Sequence, residues 1–338
     1  MDDQPKPSLT DLVWHYTDAA GLLSILRTDT VWATSSEFLN DRGEVQLGRQ
    51  LAEERMRERA RLEPDSIYGR LGGLLRANDE RNSPPEQDGA GAIFFVLSAS
   101  SSPDSLAMWR NYGGAGESYA VGLDPARPLR VLGELAGEEH EGGHGMLGGG
   151  VRLRRKPWRA VHYDRPSQLS LIDHVLDDRA GTAEKLRQAA ADLAGVGDAE
   201  DLRRLLSPAR RDDLERMLGD LEDVLLLIKH PGFIDEDEVR ASYVLWLQGD
   251  RGTTMHALRD VIQYRASRYG LAPYLRLTGP GDDPEAPLSA RPCPLPIRAV
   301  TVSPSAHGAA AEQSVRDLLA AGGRADVPVT RSGIPFRE

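Results

Sequence analysis

From about residue 166 to 229 the chain carries leucines at helical spacing and no strand signal, while strand signals lie on both sides of that block. This arrangement constrains the fold more than any other feature. Apolar, β-branched or aromatic runs at 12–17, 30–34, 93–97, 119–123 and 151–163 precede the block, and runs at 239–246, 260–268, 272–277, 297–302 and 327–330 follow it. Helical patterns fall after Asp18, where Thr17 or Asp18 can act as cap, over a charged stretch to about 61, around Leu106 to Trp109, and over 309–321. Two consecutive domains would leave each half of the strands with its own sheet. One discontinuous α+β domain over residues 10–338, with 166–229 as a helical insertion, accounts for the order better. Residues 78–91 and the proline-rich 279–296 read as loops, and the glycine-rich 133–150 as flexible.

At 338 residues and 40% hydrophobic, the chain can bury a sizeable core. Its net charge of −11 gives no global attraction to nucleic acid. A local basic run, Arg152, Arg154, Arg155, Lys156 and Arg159 around Trp158, could track phosphates, although a solvated hairpin face is the plainer expectation. Cys293 is the single cysteine, so an internal disulfide and a cysteine metal site are excluded, in keeping with a reducing cytoplasm. The polar N-terminus does not resemble a signal peptide, and no stretch approaches the roughly 20 apolar residues of a membrane span. His140 and His144 have i,i+4 spacing but sit among glycines that disfavour a helix, so no metal site is expected. Phosphate-loop, dinucleotide-fold, zinc-helix and nucleophile-elbow motifs are missing.

Four polar clusters fall at expected strand ends or turns, where sites tend to lie. In the first, His15 could bond a ribose hydroxyl, Tyr16 stack on a ring and Thr17 reach a second hydroxyl. A satisfied core histidine beside a cap residue is the bland alternative. Asn40 and Asp41 with Glu44 read as a helix start. Ser98 and Ser100 end an apolar strand with both hydroxyls on one side, and Trp109 or Tyr112 could wall a pocket beside them. Glu236, Glu238 and Arg240 alternate, so an extended backbone would project all three to one face, with Arg240 relieving the repulsion of the two carboxylates. A solvated acidic turn is the alternative there.

Taken in order, His15-Tyr16-Thr17, Phe38-Leu39-Asn40-Asp41-x-x-Glu44, Leu97-Ser98-x-Ser100, Met108-Trp109-x-x-Tyr112, Glu236-x-Glu238-x-Arg240 and Ser332-x-x-Pro335-Phe336-Arg337 resemble the bacterial domain-of-unknown-function 2971 family along nearly the whole chain. Phe233 stands where a tryptophan is common, and the helical insertion is long for that family. The motifs are in turn similar to those of the ADP-ribosyltransferase superfamily. That resemblance implies a mixed, mostly antiparallel central sheet and NAD as substrate. It implies Glu238 as catalytic carboxylate, with Glu236 orienting the substrate. His15, Tyr16, Thr17, Ser98, Ser100, Trp109, Tyr112 and Arg240 would contact NAD, without a metal. The acceptor, whether protein, nucleic acid or small molecule, is not implied. Phage-defence and toxin genes are contexts in which the family is met. A non-catalytic nucleotide-binding or sensor protein on the same scaffold, or a carboxylate-pair hydrolase acting on another glycoside, are the alternatives. The enzymatic reading expects His15, Ser98 and Glu238 in one cleft. It also expects Glu238→Gln to leave folding nearly untouched.

Overall fold

The structure, a computed structural model, describes residues 11–39, 42–62, 68, 91–113, 116–135, 144–178, 208–247, 251–267, 270–282 and 291–335. Strand β1 (Val13–Asp18) runs into helix α1 (Ala19–Thr28), whose first turn is capped by the Asp18 carboxylate accepting from Gly21 N at 2.7 Å. β2 (Val31–Ser35) precedes the charged α2 (Arg42–Leu62). β3 (Gly91–Ser100), α3 (Leu106–Tyr112), β4 (Ser118–Leu123) and the two-residue β5 (Arg130–Val131) follow. β6 (His144–Met146) and β7 (Arg152–Ala160) lead to α4 (Arg165–Asp178) and α5 (Pro208–Leu225). Then come β8 (Glu238–Leu247), α6 (Arg251–Ala257), β9 (Ile262–Ser267), β10 (Gly270–Thr278), β11 (Ile297–Val302), α7 (Gly308–Ala321) and β12 (Val329–Arg331).

The described strands join in one mixed sheet, antiparallel except for the β11–β12 pair. β3 is its axis. One edge of β3 pairs with β8 over its whole length, from Gly91↔Leu247 to Ser100↔Glu238. The other edge is shared: β1 meets it at Trp14↔Ser100 and β2 at Thr34↔Val96 and Ser35↔Phe95. β1 and β2 therefore fork apart along β3, and residues 97–99 lie in the fork. Beyond β1 the order continues through β4 and β11 to β12; beyond β2 it continues through β10, which carries β9 and β5.

Strand alternation sends neighbouring residues to different layers. Val13 joins Phe95, Leu97, Ala99, Val121, Ala241 and Tyr243 in the largest core, which α1 and α7 cover with Leu22, Ile25, Val315 and Leu319. Leu12, Trp14 and Tyr16 enter a second core with Met108 and Trp109 of α3. α2, α4 and α5 bury Leu51, Met56, Ile172, Leu176, Leu218 and Leu221 against one another. The region expected as a helical insertion is thus helical in its described parts and packs on α2, while residues 179–207 lie outside the described residues. So do 78–90, Asn40, Asp41, Phe336 and Arg337. The stretch expected to be flexible is, in its described part, built into the sheet: His144–Met146 pairs with β7, and Leu135 N donates to Met146 O at 2.9 Å.

α5 approaches β8 closely because Gly219 faces Trp246. A Cβ at Gly219 would lie 2.3 Å from the Trp246 ring. Replacing an internal helical glycine with alanine ordinarily gains about 1 kcal/mol, but overpacking costs about 1–3 kcal/mol. Gly219→Ala is therefore expected to lower the thermal unfolding midpoint and Gly219→Val to lower it further; a rise in the midpoint for Gly219→Ala would show that this close approach is dispensable.

Candidate functional site: a buried charge cluster beside a forked sheet

The end of α5 runs on into an apolar stretch, Val224 to Ile228, that carries Lys229 into the protein. Lys229 is pinned by its backbone, since its N–H donates to His162 O at 3.1 Å and its carbonyl accepts from Gln168 Nε2 at 2.8 Å. A short 3-10 turn, Pro231–Glu236, follows, and Asp237 in the left-handed region (φ 42°) turns the chain into β8. This corrects the extended reading. Asp237 breaks the alternation, so only Glu238 and Arg240 share a strand face, and Glu236 arrives from the turn.

Glu236 still meets the others, through Lys229. The Lys229 ammonium lies 2.7 Å from Glu236 Oε2 and 2.8 Å from Glu238 Oε2. Arg240 grips Glu238 with two nitrogens, Nε to Oε1 at 2.7 Å and Nη2 to Oε2 at 2.8 Å, and its Nη1 donates to Leu226 O at 2.6 Å. Asn111 Nδ2 of α3 donates to Glu236 Oε1 at 2.9 Å. All four charged residues are 3% exposed, which overturns the picture of a solvated acidic turn. Two carboxylates and two cations leave the cluster neutral. Burial opposes ionisation of Glu238, but the Arg240 guanidinium and the Lys229 ammonium outweigh it and hold its carboxyl at about 2. Lys229, Asn111 and Tyr163, whose hydroxyl accepts from Glu238 N at 2.9 Å, were not singled out by motif. The signal for Lys229 was available: a lysine ending a five-residue apolar run has little choice but to be buried with a partner.

Ser98 and Ser100 lie opposite Arg240 and Glu238 across the β3–β8 ladder and so share their face. Ser100 Oγ donates to Glu236 O at 2.8 Å. Tyr16 projects to the same face, where its ring meets Trp109 edge-on with centroids 4.5 Å apart. Tyr16 OH donates to Ser102 O at 2.8 Å, and Trp109 Nε1 donates to Asp104 Oδ1 at 2.8 Å. Tyr112 packs half-buried against that cluster. These aromatics are therefore spent on one another and on the serine loop after β3, rather than lining an open wall.

His15 and Thr17 project to the other face, in register with Val121 and Tyr119 of β4. The structure thus brings Tyr16, Ser98, Ser100, Trp109, Glu236, Glu238 and Arg240 together and separates His15 and Thr17 from them, so the single cleft expected to hold His15, Ser98 and Glu238 is not formed. One link crosses the fork: His15 Nδ1 lies 3.0 Å from Ser98 O. A carbonyl can only accept, so Nδ1 carries the proton and Nε2 is left as an acceptor. Burial lowers the His15 pKa, against the opposing pull of the Ser98 carbonyl, and keeps the ring neutral.

Of the five cations in the basic run on β7, Arg152 is exposed and the other four are ion-paired. Arg155 lies 2.6 Å from Glu134 and Arg159 2.7 Å from Asp223, while Arg154 and Lys156 pair with Asp220. α5 supplies two of those acids, so most of the run's charge is consumed in docking the helix. Among the described residues, no group of three or more His, Cys, Asp or Glu could hold a metal, and no helix is long and apolar enough to cross a membrane. His140 lies outside the described residues.

A family comparison reaches most of this region. Residues 108–241 match the model of DUF2971, a protein family of unknown function. The DUF2971 match takes in α3, β4, β7, Lys229 and the Glu236–Glu238–Arg240 cluster, and stops short of β1 and β3. Comparisons with curated proteins and with solved structures found no match.

The burial of the cluster changes what Glu238→Gln should do. It would leave Lys229 and Arg240 facing one carboxylate instead of two, and breaking a buried pair typically costs about 3–5 kcal/mol. Stability at neutral pH should fall by that order, contrary to a silent near-isosteric change. Because the folded-state pKa is depressed, Glu238 contributes fully above its unfolded value, and the contribution fades as pH drops toward about 2. Chemical denaturation of the wild type from pH 6 to 2 should therefore show a loss that is smaller in Glu238→Gln; parallel curves would mean that Glu238 titrates normally.

Proposed function

We propose that the chain is an NAD-consuming enzyme of ADP-ribosyltransferase type, passing ADP-ribose to an acceptor or to water. One observation carries the reading. Three motifs far apart in the sequence lie on three adjacent strands, with Trp14, Ser100 and Glu238 in one register line and His15 bonded to Ser98 across the fork. In this reaction the bond between nicotinamide nitrogen and ribose carbon breaks, and its electron pair leaves with nicotinamide. The acceptor oxygen or nitrogen then bonds to that carbon and gives up its proton. The developing ribosyl cation needs a fixed negative charge, and Glu238 is an ionised carboxylate already oriented by Arg240, so little reorganisation is left for the reaction itself. Since His15 and Glu238 face opposite sides, the reading gives them different ends of the substrate: His15 Nε2 accepts from the adenosine ribose, and Glu238 serves the nicotinamide ribose. Substrate reaches Glu238 by displacing Lys229, the one contact to its carboxylate made from outside β8 among the described residues.

A second reading, a non-catalytic nucleotide-binding or sensor protein on the same scaffold, is favoured by a specific observation: both Glu238 oxygens are occupied and the residue is 3% exposed.

Nicotinamide release from NAD, with and without cell extract, separates the two. Glu238→Gln combined with Lys229→Gln keeps the cluster neutral while removing the catalytic carboxylate, so lost activity cannot be blamed on a stranded charge. Release by the wild type and a fall of at least about a hundredfold in the double variant is the expected result. NAD binding without release would select the second reading, and neither binding nor release would overturn both.

A further inference from the structure

In this acidic chain, with 52 acidic and 41 basic residues, most arginines of the sheet have a carboxylate beside them. Arg154, Arg155 and Arg159 on β7, Arg240 on β8, Arg298 on β11 and Arg331 on β12 are all ion-paired. Arg265 on β9 and Arg276 on β10, like the exposed Arg152 on β7, are different. Among the described residues, neither has a carboxylate partner. Arg276 Nε is buried and without a hydrogen-bond partner. Arg265, exposed, makes one side-chain hydrogen bond, from Nη2 to Thr34 Oγ1 at 3.2 Å, out of five available donors.

The register places both guanidiniums around two aromatic rings. Arg276 lies directly opposite Trp32, Tyr274 opposite Thr34, and Arg265 opposite Ala272 on the same sheet face. Trp32 is 39% exposed, and its ring lies 4.5 Å from that of Tyr274 at an interplanar angle of 33°. The Arg265 guanidinium sits 5.9 Å from the Trp32 ring. An exposed tryptophan tilted on a tyrosine and flanked by two cations without acidic partners has no role in the cores described above.

We propose that this face of β2, β10 and β9 binds single-stranded nucleic acid, with bases stacking on Trp32 and Tyr274 and phosphates taken by Arg265 and Arg276. Every base has a π-face, and every nucleotide brings an anion, so the pairing of aromatic and guanidinium groups suits this ligand class. The three strands span about 10 Å, wider than one base, and Trp32 and Arg265 at its two sides are exposed. Both features favour a polymer over a free nucleotide. The overall negative charge confines backbone contacts to this patch and makes binding sensitive to salt. The proposal stands apart from the NAD reading, since none of these residues belongs to the Glu238 cluster.

Fluorescence anisotropy with a labelled oligothymidylate of about 15 nucleotides, within the range single-strand sites span, tests it on the full chain. Binding should weaken with salt and exceed that of a duplex of equal length. Trp32→Ala, an exposed position that threatens no core, should weaken binding at least about fivefold, the lower end for a lost base stack. Arg265→Gln with Arg276→Gln should also weaken it and flatten the logarithmic salt dependence by about 1.4, two phosphate contacts on a single strand. Arg152→Gln, which removes an exposed arginine on β7, should leave binding unchanged. No binding at low salt, equal binding of duplex, indifference to Trp32→Ala, or displacement by free NAD as effective as by unlabelled oligomer would each overturn the assignment.

Discussion

The bidentate grip of Arg240 on Glu238 is the contact on which the arrangement of this protein turns. A carboxylate buried to 3% exposure is tolerated only with its charge answered, and Arg240 answers it from two residues away on the same strand. That leaves Lys229 able to divide itself between Glu238 and Glu236, which fixes the turn between α5 and β8. Glu236 in turn reaches Asn111 on α3, and its backbone carbonyl receives Ser100 at the end of β3. The helical layer, the 3-10 turn and the central strand are thereby locked together by electrostatics where hydrophobic contact alone would leave their relative positions loosely specified.

Much of the fold could be read before any coordinates. Strand positions followed from β-branched and aromatic runs because a sheet of this kind packs on both faces, and the α1 cap followed from Asp18 standing just ahead of an apolar helical pattern. The two motifs Ser-x-Ser and Glu-x-Glu-x-Arg could each be read locally, but their pairing on one ladder could not. Local spacing could not reveal which side of the sheet each group takes. His15 and Tyr16 are adjacent in sequence, so one of them had to face away from Glu238, and only the Trp14↔Ser100↔Glu238 register decides which. Alternation alone makes Asp237 one more strand residue; aspartate tolerates the left-handed region better than most residues, but it is the turn's contacts with Ser101 that select it. The basic run on β7 misled for a related reason. Charge density along a sequence says nothing about whether acids from another element, here Asp220 and Asp223, will arrive to neutralise it.

The same comparison explains why the most informative cations were the ones least conspicuous in sequence. Arg265 and Arg276 are isolated within their strands and Trp32 lies more than two hundred residues upstream, so no window of the chain contains the patch. A run of five basic residues attracts attention, yet four of them are used structurally. Two scattered arginines become neighbours only because β10 pairs with β2 on one side and β9 on the other.

The β3–β8 ladder also has a consequence for how the chain reaches this state. Ser100 and Glu238 are direct partners although α3, β4 to β7, α4 and α5 all lie between them in the sequence. During synthesis β3 emerges long before β8, so its full-length edge has no strand to pair with until residue 247 is available. The loop that must close is long, and its entropic cost comes before the ladder returns any stabilisation. Lys229, Glu236, Glu238 and Arg240 keep their hydration shells until that closure, because desolvating any of them singly would be prohibitive. The charge cluster is therefore a late event in folding, and a nascent chain halted before β8 would expose the apolar edge of its central strand to association with other chains.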